Sequence, residues 1–79
     1  MAYLVLTGAG GWVERWEIPP GEEDGVALEL DHVGSKSTSR LTLVNPGGEE
    51  RIELVVAWRA VAAAAIVPSI HTPLPGQYA

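Results

Sequence analysis

The chain has 79 residues, ten carboxylates against five lysine and arginine side chains, and no cysteine. Its length allows one domain. The missing cysteines exclude disulfides and thiolate metal sites, and a net charge of −5 leaves no basic stripe for duplex nucleic acid. A domain of this size buries only about 60% of the surface its unfolded chain exposes. Its stability must therefore come from tight packing or from a partner surface, another copy included. Alanine, glycine and valine are abundant, phenylalanine is absent and arginine outnumbers lysine. This composition suggests a GC-rich genome, such as that of an actinobacterium or its phage, and says nothing about activity.

Met1 to Leu6 is apolar but lacks a basic start and breaks at Thr7-Gly8, so it is too short for a signal peptide. Tyr3 to Thr7 reads as a strand. Gly8-Ala9-Gly10-Gly11 breaks it, and Trp12 to Ile18 then alternates, with Trp12, Glu14, Trp16 and Ile18 on one face. Two strands around a glycine-rich turn make a hairpin. Pro19-Pro20-Gly21 ends it, because proline cannot donate to a ladder.

Glu22 to Val33 fits two periods. As a helix it has acidic residues in the first turn, where they suit the helix dipole. Val26, Leu30 and Val33 then share a face, and Gly34 supplies the stop. As a strand, Val26, Leu28 and Leu30 alternate with Ala27, Glu29 and Asp31. The flanking Pro-Gly and Gly-Ser pairs favour the helix. Ser35 to Ser39 is a polar loop, followed by a strand over Arg40 to Val44 with Leu41 and Leu43 inward.

Asn45-Pro46-Gly47-Gly48 is a strong turn: proline presets φ at the second position and glycine accepts positive φ at the third. Arg51 to Trp58 reads as a strand with Ile52, Leu54, Val56 and Trp58 on one face. Arg59 to Ala62 forms a tight turn or one helical turn, and Ala63 to Val67 a last strand whose small side chains permit close approach. The apolar run from Leu54 to Val67 is shorter than the ~20 residues a spanning helix needs, and Arg59 interrupts it. Residues 1–67 are thus one small domain, and residues 68–79 an extended proline-rich arm carrying Ile70, Leu74 and Tyr78.

Four patterns invite a chemical reading. Gly8 to Gly11 resembles a phosphate cradle, but a dinucleotide fingerprint needs glycine at position 13 and a following helix, whereas Val13 opens a strand period. Ser35, Lys36, Ser37 and Arg40 combine hydroxyls and cations that could hold an anion; a solvated connector is the commoner role of such a loop. Glu22-Glu23-Asp24 lacks the alternating spacing of a calcium loop. Asp31-His32 are adjacent in sequence and poorly placed to orient one another as in a triad. Trp12, Trp16 and Trp58 supply the bulk that phenylalanine otherwise would. Trp12, beside the turn, is the one expected at the surface, where tryptophan is enriched as a binding anchor.

The expected architecture is α+β: a small antiparallel sheet from two hairpins plus a final strand, with one short helix on one face. The alternative is an all-β, barrel-like fold with Glu22 to Val33 as a strand. The expected function is a non-enzymatic protein-interaction or structural accessory module, self-associating, with Trp12, Ile70, Leu74 and Tyr78 as interaction candidates. The alternative is a small anion-binding protein or minimal enzyme using Ser35, Lys36, Ser37 and Arg40. No cofactor, metal, nucleic acid or membrane is expected as a partner. The expected location is the cytoplasm, or a virion if the chain is phage-encoded.

Overall fold

A computed structural model describes residues 2–68. In chain order the elements are strand β1 (Ala2–Gly8), strand β2 (Val13–Ile18), helix α1 (Glu23–Glu29), a 3₁₀ turn (Leu30–His32), strands β3 (Thr38–Val44) and β4 (Arg51–Ala57), a second 3₁₀ turn (Trp58–Ala60) and strand β5 (Val61–Val67). All five strands join one antiparallel sheet in the order β4-β3-β2-β1-β5. This is the expected α+β fold, and the open sheet with its helix rules out the all-β alternative.

Both hairpins follow from their turns. β1 and β2 pair from Ala2↔Ile18 to Thr7↔Val13. The Gly11 amide donates to the Gly8 carbonyl, and the Gly8 amide to the Trp12 carbonyl. β3 and β4 pair from Thr38↔Ala57 to Val44↔Arg51. There Gly48 N donates to Asn45 O at 2.8 Å and Gly47 has φ +82°, as the Asn-Pro-Gly-Gly sequence requires.

Glu22 to Val33 becomes a short helix that tightens before it ends. Glu23 and Asp24 occupy its first turn and Val26 is buried. Leu30 and Val33 complete the apolar face against the core. Leu28 points away and is 73% exposed, so the helix uses a single narrow stripe. In the first hairpin the boundaries shift by one residue, to Ala2–Gly8 and Val13–Ile18, which leaves Trp12 in the turn, and three more differ further along the chain. β3 begins at Thr38, inside the expected loop; Trp58 leaves the strand for the 3₁₀ turn; and β5 begins at Val61. The tryptophan explains all three. Its indole is fully buried and donates to Ser39 Oγ at 2.7 Å, its amide donates to Ser37 O, and its carbonyl accepts from the Gly34 amide. One side chain thus ties the loop before β3 to the corner after β4.

That corner also shapes the sheet. β4 and β5 are its opposite edges, yet only Trp58–Ala60 separates them. Four gaps of ~4.8 Å would place the edges of a flat five-stranded sheet about 19 Å apart. The four residue steps from Ala57 to Val61 reach at most about 14 Å. The sheet must therefore curl. β2 and β3 share only the bridge Glu17↔Val44, so bending there breaks few hydrogen bonds. The concave face holds the core, with Leu4, Leu6, Ile18, Leu41, Leu43, Val56 and Trp58 at its centre. A smaller cluster of Val5 and Val67, flanked by Tyr3 and Ala65, sits on the convex face.

Candidate functional site

The curl leaves a cleft of about 340 Å³ between the tip of the β1–β2 hairpin and the β4–β5 corner. Leu6 and Val61 form its apolar floor, Leu54 to Ala57 one wall, and Trp12 and Glu14 the other. The hairpin sets the second wall. Trp12 and Glu14 are two residues apart and therefore project from the same face. The Trp12 indole lies across Gly8, in the space where any larger residue would carry its Cβ. Trp12 nevertheless remains 40% exposed, its surface available from the cleft side.

The two sides of the cleft differ in polarity. On β4, Trp58 N donates towards β3, and in an antiparallel ladder alternate residues turn their peptide groups to opposite sides. The groups of Val55 and Ala57 therefore face away from β3, at the free edge. Opposite them, Glu14 makes no hydrogen bond or ion pair with any described residue. Glu14 is exposed, and it shares the lack of an ion pair with several other acids; three are paired, Glu53 with Arg40 at 2.9 Å, Glu29 with His32 at 3.3 Å, and Glu22 with Arg51 at 4.0 Å.

The residues of the candidate anion loop bond in different directions. Ser35 Oγ accepts from the Ser37 amide at 3.2 Å, and Lys36 is exposed. Arg40 lies on the convex face of β3 and is committed to Glu53 across the β3–β4 ladder. Ser39, between them, turns inward to Trp58. His32 pairs with Glu29, so Ser37, Arg40 and His32 each serve a different neighbour. Among the described residues, no group of three or more His, Cys, Asp or Glu side chains could hold a metal ion. No helix there is long and apolar enough to cross a membrane.

Of the interaction candidates, Trp12 lines the cleft, while Ile70, Leu74 and Tyr78 lie outside the described residues. Sequence reasoning missed Glu14 and the free edge at Val55 and Ala57. Glu14 was visible as the one acid among apolar residues on its face of β2, but the wall opposite it depends on the curl. No family model, curated protein or solved structure matches the chain. The fold and cleft therefore define a class only, a small open antiparallel α+β sheet with β4 and β5 as its edges among the described residues.

Proposed function

We propose that the chain is a non-enzymatic interaction or structural accessory module that self-associates through β5. The observation carrying this reading is the character of that edge. β5 reads Val-Ala-Ala-Ala-Ala-Ile-Val over seven residues. It contains no charge and no proline, and its one branched outward side chain is Val67 at the strand's end; charges and prolines are what usually keep an edge strand from pairing with another chain. Ala62 and Ala63 are exposed. A two-fold axis beside β5 would extend two five-stranded sheets into one, satisfying the free backbone groups of both copies. A chain with so small a core gains most from that burial. Ile70, Leu74 and Tyr78, which lie outside the described residues, belong to the same reading as further interaction candidates.

Sedimentation of the full-length chain tests it, with Ala63→Lys placing a charge on the exposed face of β5. The wild type is expected to run as a dimer or larger, and the variant to shift to monomer with its far-UV spectrum unchanged. A wild type that stays monomeric at millimolar concentration would overturn the reading.

A further inference from the structure

From the cleft between the β1–β2 hairpin and β4 we infer a second, heterotypic site: it takes an extended segment of a partner protein, added to the edge of β4, with an arginine side chain held between Trp12 and Glu14. This site uses the opposite edge of the sheet from the self-association surface and does not rest on that proposal.

Three features select the occupant. The first is the free edge. Val55 is 58% exposed, and its peptide group, like that of Ala57, faces away from β3. An extended segment is the ligand form whose own backbone matches such an edge, as in β-strand addition. The second is charge. Glu14 stands in an otherwise apolar cleft with no described cation to balance it. Covering the cleft with a neutral segment would strip water from an unpaired carboxylate, which is costly, whereas a cation removes that cost. The third is the indole. Trp12, the residue just before β2, and Glu14, two positions on, have Cα atoms about 7 Å apart where the chain is extended. A planar guanidinium fits that gap by stacking on the ring and presenting its fork to the carboxylate. A lysine ammonium can do the second but not stack, so arginine is favoured. The chain's charge of −5 also favours encounter with a basic partner.

Gly8 is the positioning residue. Any side chain there displaces the Trp12 indole from the cleft wall.

The test is an amide-shift titration of the isotope-labelled full-length chain. The probe is a capped pentapeptide, valine-threonine-arginine-threonine-valine, and its control carries uncharged citrulline for arginine. The arginine peptide is expected to give saturable shifts at the Val55 and Ala57 amides and at the Trp12 indole N–H. Glu14→Gln, or citrulline on the wild type, should each weaken binding by about tenfold or more, the range of a hydrogen bond to a charged group. Shifts centred on other residues would overturn the inference, as would equal binding of the citrulline peptide or no saturation at millimolar peptide. The citrulline arm needs no variant to fold. Shifts at Ala64 and Ile66 alone would report self-association and count against this site.

Discussion

Gly47 carries a conformational demand that its neighbours do not. With φ at +82°, a β-branched residue there is strained by about 1–3 kcal/mol. Gly47→Val should therefore lower the melting temperature by several degrees, since roughly 1 kcal/mol shifts a domain of this size by about 4–8 °C. An unchanged melt would mean that the turn is misassigned. The two inward tryptophans make a sharper contrast. The Trp58 indole N–H is buried and bonded to Ser39, whereas the Trp16 N–H is buried with no hydrogen-bond partner. An unsatisfied buried donor costs about 1–3 kcal/mol. Trp58→Phe loses volume and also strands the Ser39 hydroxyl; Trp16→Phe loses volume but removes an unpaired donor. Denaturant titration should show Trp58→Phe to be the more destabilising by about that amount. Equal losses would sink the argument from hydrogen bonding.

At the level of elements, β5 offers a test of its own ladder. The Gly8 amide points to β2, so alternation along β1 turns Tyr3, Val5 and Thr7 towards β5. Their partners Val67, Ala65 and Ala63 donate and accept across that ladder, leaving the peptide groups of Ala64 and Ile66 on the free edge. Proline is tolerated in an edge strand where its missing N–H faces outward. Ala64→Pro should keep the monomer fold and weaken self-association. Ala65→Pro should destabilise the fold, because it removes a donor to the fully buried Val5. Melting and sedimentation of the two variants read both effects; the reverse order of stability would show the β1–β5 register to be wrong. The hairpins were legible in sequence because their signals are local, a turn between two alternating runs. The ends of β3, β4 and β5 were not, because they are fixed by Trp58 reaching Ser37 and Ser39 across the loop.

For the whole molecule, ten acids against five bases set the field. Among the described residues at least two of the five bases, Arg40 and Arg51, face acids of the same chain, so the positive surface left over is smaller than the count suggests. Duplex DNA and RNA should not bind measurably at physiological salt. A gel-shift titration with random duplexes checks this, and salt-sensitive micromolar binding would contradict it. Acidity alone does not make a cleft for a cation, however. It takes the curl of the sheet to stand Glu14 opposite a free backbone edge.

The alternating residues of β2 and β4, the Asn45 to Gly48 turn and the stripe of Val26, Leu30 and Val33 determined the α+β class, since periodicity and turn chemistry act over a few residues. The same residues left open which strands are edges. That β4 and β5, neighbours in the chain, become opposite edges was decided by the pairing of β5 with β1, a contact between residues some sixty positions apart that no local pattern records. From that pairing follow the curl, the cleft and the exposure of Trp12 beside Glu14. The class lay in local propensity, and the surfaces on which function is proposed lay in long-range closure.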